Sequence, residues 1–492
     1  MSAGMSASAS SPAIVWFRDD LRVADNPALC RAAASGRALI CVYVHEGDGA
    51  IGRPLGGAAR WMLHGALGAL DAQLRRRGGA LLLSRGAAGP AIEALAATTS
   101  AGAVFWNRRY GGPEREADAT LKASLAARGV AAHSANASLM REPWSVANAD
   151  GKPFRVFSAF WRAFARQGEV DPPEPAPERL AFHELPPAAL SLAELRLTPR
   201  KPDWSAGLAE AWPAGEAAAH GRLGAFLEGP LRGYGKGRDR PDRAGTSRLS
   251  PYLRCGAISP RQAWAAAASA QHAGGGAGAG DFDKFRAELG WREFSYHLLY
   301  HFPELARRNF QPRFDAMAWR GDASGLEAWR RGRTGYPLVD AGMRELWATG
   351  WMHNRVRMVV ASFLIKHLLV DWRQGEVWFW DTLVDADPAS NAASWQWVAG
   401  SGADAAPYYR IFNPVLQGEK FDPDATYVKR WVPELAGLPP HLAHRPWTAT
   451  PAELAAAGLR LGEDYPLPIV DHALARQRAL AAHAALRGEA QG

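Results

Sequence analysis

Ala13-Ile14-Val15-Trp16-Phe17-Arg18-Asp19-Asp20-Leu21-Arg22 decides how the first part of the chain is read. An apolar run that closes on charge has the form of a short β-strand. Ala38–His45, Ala80–Ser84, Ala103–Asn107 and Ala131–Ser134 repeat that form. Between them, Ala58–Arg76 and Glu114–Arg128 carry apolar residues at helical spacing. The alternation implies βαβ units and a parallel, Rossmann-like sheet. Phe17-Arg18-Asp19-Asp20 stands where Gly-x-Gly-x-x-Gly would follow the first strand, which argues against ordinary dinucleotide binding there.

Downstream the pattern changes twice. Residues 143–220 are rich in Pro and polar residues, as in Asp171-Pro172-Pro173-Glu174-Pro175, and read as a linker over the surface with one helix at Phe157–Arg166. From about residue 221 helical patterns dominate, with Ala273–Gly280 a flexible connection. The expected organisation is a disordered tail (1–12), an α/β domain (13–142), an interdomain linker (143–220) and an all-α domain (221–487).

Composition sets outer bounds. With 492 residues, 48% hydrophobic and 22% charged, the chain suits a soluble protein of two or more domains. No apolar run approaches the roughly 18 residues of a membrane span. Met1–Pro12 lacks the basic and apolar regions of a signal peptide. Cys30, Cys41 and Cys255 fit neither a disulfide framework nor a metal site, so a reducing, cytoplasmic setting is the default. A net charge of +8 favours a polyanionic partner only weakly. Twenty Trp against 11 Tyr is unusual; most should pack, but their crowding after residue 290 admits stacking or redox work.

Four local patterns stand out in the helical half. Glu288, Trp291 and Arg292 fall at i, i+3 and i+4 on one helical face, suited to a flat polar heterocycle or to a surface ion pair beside a half-buried Trp. Trp351–Val370 turns from polar to apolar, so Asn354, Arg357 and Met358 share a face near the core; it meets a ligand or a buried partner such as an acid for Arg357. Asn391 and Trp395 stack on one face while Trp397 points roughly the other way, toward a different cavity. Arg232, Lys236, Arg238, Arg240 and Arg243 precede Thr246-Ser247-Arg248-Leu249-Ser250-Pro251, whose hydroxyls suit phosphate or an ordinary helix cap.

Taken together these motifs are specific. Trp16-Phe17-Arg18-Asp19-Asp20-Leu21-Arg22, Thr246-Ser247-Arg248-Leu249-Ser250-Pro251-Tyr252-Leu253, Trp291-Arg292-Glu293-Phe294, Gly350-Trp351-Met352-His353-Asn354-Arg355-Val356-Arg357-Met358, Trp395-Gln396-Trp397 and the segment 404–414 resemble the photolyase/cryptochrome family. The similarity covers nearly all of the chain beyond its first dozen residues and is nearest to class I-type enzymes acting on cyclobutane pyrimidine dimers.

The resemblance implies a U-shaped FAD in the helical domain, fully reduced when active. Tyr234 and Thr246, Ser247, Arg248, Leu249 and Ser250 would line its phosphates and ribityl chain, with Arg292 also on the cofactor. Arg357 and Asp385 would pair against the isoalloxazine, with Asp387 near and Asn391 facing N5. Glu288, Trp291, Asn354, Met358 and Trp397 would line the pocket for a flipped-out dimer. Arg238, Arg355 and Arg410 would hold flanking phosphates. Trp395, Trp372 and Trp319 match the family's chain of tryptophans that reduces the flavin under light. The reaction implied is electron transfer from excited FADH⁻ to the dimer, ring cleavage and return of the electron. The expected partner is DNA containing pyrimidine dimers, with no membrane or metal and a monomeric chain.

An antenna chromophore, methenyltetrahydrofolate or a deazaflavin, would sit in the N-terminal domain. Gly111-Gly112 stands where many folate-binding members carry Glu, so the usual folate contact is in doubt. The rival reading is a cryptochrome-type blue-light photoreceptor. Glu288, Trp291, Trp397 and the short stretch after the last Ala-rich helix favour repair.

Overall fold

The computed structural model describes residues 11–47, 51–185, 190–274, 278–405 and 409–488. Residues 1–10 of the expected tail, 275–277 of the Gly-rich connection and 406–408 of the segment 404–414 lie outside the described residues.

Five strands, β1 (Ala13–Phe17), β2 (Leu39–His45), β3 (Leu81–Arg85), β4 (Ala103–Asn107) and β5 (Ala131–Ala135), form a parallel sheet in the order β3-β2-β1-β4-β5. The crossovers contain α1 (Pro27–Ala34), α2 (Gly57–Arg75), α3 (Ala88–Thr99) and α4 (Gly112–Ala127). Val15, Phe17, Cys41 and Phe105 pack with α1 and α2 on one face. Ile14, Trp16, Val42 and Trp106 pack with α3 and α4 on the other. Both faces are covered, which is why the strands read as unbroken apolar runs rather than as alternation.

The segment 143–220 is less loose than its composition suggests. Its helix α5 (Phe157–Arg166) buries Phe160 and Phe164, and Leu195, Leu208 and Trp212 plug the same core. The Trp212 indole N–H also donates to the Thr349 carbonyl at 2.7 Å. Single anchors at irregular intervals carry no period, so the expectation of a surface linker missed them.

The core beneath the sheet continues into the helix Ala279–His301 through Phe282, Phe285, Leu289 and Phe294. A second core gathers Trp329, Val339, Val360, Phe363, Trp372, Phe379 and Trp395. Within Trp351–Val370 the chain is helical over Asn354–Ser362 and widens into a π-turn at Phe363–His367. Among the described residues no helix is long and apolar enough to cross a membrane.

Candidate functional site

Between the two cores lies a cavity of about 590 Å³, within the range of small-molecule sites. It is lined by Tyr234 and the turn Thr246–Ser250, by one face of Ala279–His301, by Asn354–Met358, and by Asp385–Trp397. Segments more than 100 residues apart in sequence thus meet around one space.

The Arg357 guanidinium donates from Nη2 to Asp385 Oδ2 at 2.8 Å and from Nε to the Met352 carbonyl at 2.7 Å. Asp385 Oδ1 is buried and has no hydrogen-bond partner among the described residues. An acceptor in that state suits a ligand that brings its own N–H donor. Asp387 accepts the Tyr296 hydroxyl at 2.7 Å. Its other oxygen accepts the backbone N–H groups of Ala389 and Ser390, starting the helix Ser390–Ala399 and so placing Asn391 and Trp395. The Asn391 amide donates to Glu376 Oε1 at 2.7 Å and to the Glu376 carbonyl at 3.1 Å.

On the turn, Ser250 Oγ accepts from the Trp351 indole N–H at 3.3 Å. Arg248, at φ 50°, lies over the Trp351 ring, its Cζ 4.3 Å from the centroid, and reaches Glu345 at 3.8 Å. Burial raises the pKa of the Glu345 carboxyl. Burial also holds His353, the cap of Asn354–Ser362, down at about 4, so it caps as a neutral ring.

On the opposite wall Trp291 stacks on Phe157, centroids 3.8 Å apart and planes 10° from parallel, which makes it a fixed plate. Glu288 and Arg238, expected to act separately on lesion and phosphate, are ion-paired with each other, and Lys284 Nζ lies 3.6 Å from Glu288. Arg292 lines the cavity but sends its Nη1 to the Ser138 carbonyl at 2.5 Å.

Trp395 and Trp397 line the same cavity, which corrects the expectation of two cavities. Trp395 sits edge-on to Phe379 and Trp329 inside the core, whereas the indole N–H of Trp397 donates to the Asp404 carbonyl at 3.0 Å. Trp372 and Trp319 lie outside the lining. Trp372 is buried and donates to Asn309 Oδ1 at 3.0 Å, and Trp319 is half-buried.

Arg410 belongs to a neighbouring open groove of about 790 Å³ that also contains Lys236, Lys420 and Arg476. Arg355 borders both spaces and pairs with Asp239 at 2.9 Å. Sequence reasoning missed Lys420, Arg476, Asp239 and Arg254. Arg254 donates to the Ala386 carbonyl at 2.6 Å and to Asp19 at 2.9 Å, tying the cavity to the sheet domain. In the N-terminal half a pocket of about 20 Å³ lies among Trp16, Arg18, Glu46, Arg109 and Glu114, room for a water molecule only.

Two family models match the chain: the FAD binding domain of DNA photolyase over residues 285–485, and DNA photolyase over residues 13–178. The deoxyribodipyrimidine photo-lyase of Agrobacterium fabrum is 50% identical, covering 97% of this chain and 98% of its own. Cryptochrome-1 of Arabidopsis thaliana is 40% identical, covering 94% of this chain and 69% of its own. A solved bacterial class III photolyase from Agrobacterium tumefaciens superposes with a TM-score of 0.95 at 49% identity, over 99% of this chain and 100% of the other. Its described class differs from the class I-type expected from the motifs.

The match of the helical half that encloses this cavity to an FAD binding domain identifies a flavoprotein. The chain belongs to the DNA photolyase/cryptochrome family.

Proposed function

We propose that the protein is a deoxyribodipyrimidine photo-lyase of the class III type that repairs cyclobutane pyrimidine dimers in DNA under blue light. The observation carrying this reading is the convergence of Glu288, Trp291, Asn354, Met358 and Trp397 on the cavity that also holds Arg357, Asp385 and Asn391. The photo-lyase of Agrobacterium fabrum, 50% identical against 40% for cryptochrome-1, supports repair over signalling.

FAD fits the residues present. Asp385 Oδ1 needs a donor, Thr246 to Ser250 supply hydroxyls and N–H groups for phosphate, and Tyr234 and Arg292 border the same space. Reduced FAD, bound there and excited by light, supplies the electron that opens the cyclobutane ring and receives it back. The chain's own residues do the rest. Trp291, immobilised on Phe157, and Trp397, tethered to Asp404, form apolar walls that admit a dimer flipped out of the duplex. Glu288 hydrogen-bonds a pyrimidine edge once the lesion displaces Arg238, leaving that guanidinium for a flanking phosphate. Arg355 and Arg410 hold further phosphates along the open groove. Trp395, Trp372 and Trp319 carry an electron inward to an oxidised flavin.

The reading includes a monomeric chain and a reducing cytoplasm; the three cysteines, all free, support the reducing setting. It also includes an antenna chromophore, methenyltetrahydrofolate or a deazaflavin, bound outside the small pocket at the sheet.

Dark binding tests the substrate assignment. Reduced holoprotein should hold a duplex with one thymine dimer at least 100-fold more tightly than the undamaged duplex; equal affinity would count against it.

A further inference from the structure

Arg53 follows β2 in the N-terminal half, yet its guanidinium reaches Glu376, which in turn holds the cavity-lining Asn391. Its Nη1 lies 2.6 and 2.9 Å from the two carboxylate oxygens of Glu376, which is 4% exposed. The segment carrying it is seated firmly. The Trp380 indole N–H donates to the Pro54 carbonyl at 2.8 Å, Asp381 accepts the Gly57 N–H at 2.8 Å, and the Arg53 Cζ lies 4.4 Å from the Trp380 ring centroid. At Gly56 a Cβ would fall 2.1 Å from the Trp380 carbonyl oxygen, so only glycine allows this approach.

Glu376 in turn settles the orientation of Asn391. In the ion pair its carboxylate offers only acceptors, and its carbonyl is a second acceptor aimed at the same amide atom. That atom must be the NH₂ group. The Asn391 carbonyl oxygen is then the group presented to the cavity, and an amide oxygen accepts an N–H but repels a lone pair.

We propose that Arg53 is a positioning residue for the flavin. Acting through Glu376, it locks the Asn391 carbonyl toward the cofactor ring and so favours the reduced flavin, whose N5 bears hydrogen, over the oxidised flavin, whose N5 bears a lone pair. The proposal rests on the reading that Asn391 faces ring N5. A contact between the two halves of the chain thereby sets the redox preference of the cofactor.

The test is the midpoint potential of bound FAD, measured by equilibrium dye titration of the holoprotein. Asn391→Ala should move the potential to more negative values, and Arg53→Met and Glu376→Gln should do so by a smaller amount, since the Glu376 main-chain carbonyl still accepts from the Asn391 amide while Gln can turn either end of its own amide toward it. Arg53→Lys, which keeps the cation, should leave the potential close to that of the unmodified protein. Combining Arg53→Met with Asn391→Ala should add nothing to Asn391→Ala alone, because both remove one interaction. If Asn391→Ala shifts the potential but Arg53→Met and Glu376→Gln do not, the relay is wrong and the placement of Asn391 stands. If Asn391→Ala leaves the potential unchanged, the placement itself fails, and the proposal with it. Should Arg53→Met not yield folded protein, the buried, near-isosteric Glu376→Gln decides the question alone.

Discussion

Arg357 Nη2 and Asp385 Oδ2 meet at 2.8 Å across the cavity wall, and the carboxylate, 2% exposed, keeps its second oxygen unpartnered. The pair joins the helix Asn354–Ser362 to the segment that starts Ser390–Ala399. A buried pair of this kind contributes less through its attraction than through what happens when one partner is lost.

Arg357→Ala strands the Asp385 carboxylate in a buried site, at a cost of about 3–5 kcal/mol. The purified variant should have lost most of its FAD and melt at a lower temperature. The absorbance ratio of flavin to protein and a thermal melt check this; full FAD content with unchanged melting would contradict the assigned pair.

Trp397 contributes an aromatic wall while its indole nitrogen donates to the Asp404 carbonyl. Stacking on one base is worth about 1–3 kcal/mol. Trp397→Ala should therefore weaken dimer binding by about 5- to 150-fold with FAD content intact. Titration of a dimer-containing duplex measures it, and unchanged lesion affinity would remove Trp397 from the substrate pocket.

Trp319 lies away from the cavity lining and is half-buried, so the role proposed for it is electron relay and not contact with substrate. In Trp319→Phe, light-driven reduction of oxidised flavin should slow at least tenfold while chemically reduced protein repairs normally. Loss of repair in the reduced protein would mean that Trp319 does something else.

Glu293 follows the substrate wall on its helix and accepts the N–H groups of Met140 and Arg141 at 3.0 and 3.2 Å, binding the two halves of the chain. Burial pushes its carboxyl from 4.5 up to about 7, and its Oε1 has no hydrogen-bond partner among the described residues. Between those pH values the folded state holds a proton that the unfolded state has released. Stability therefore falls as pH rises from 4.5 to 7, by on the order of 3 kcal/mol, and levels off above. Glu293→Gln, which cannot ionise, should flatten denaturation midpoints across that window. An unaltered slope would place the titration elsewhere.

Much of this was legible in the chain because it is written locally. The strands announce themselves as apolar runs bounded by charge, and the helix pairing Asn391 with Trp395 follows from i, i+4 spacing. Arg357 demanded an acid, and Asp385 supplies it. What stayed hidden depends on distance in sequence. Nothing around Arg53 indicates that it pairs with Glu376, 323 residues away, nor around Arg254 that it reaches Asp19. Lys420 and Arg476 look like solvated charges until the fold sets them in one groove with Arg410. The pairing of Glu288 with Arg238 was equally invisible, since each fits a surface charge when read alone.

Blue-light repair of an oligonucleotide carrying one thymine cyclobutane dimer, by chemically reduced holoprotein with a dark control, tests the central claim most directly. The account predicts light-dependent recovery of intact thymines and none in the dark. Persistence of the dimer under light, with reduced FAD bound, would contradict it and favour the photoreceptor reading.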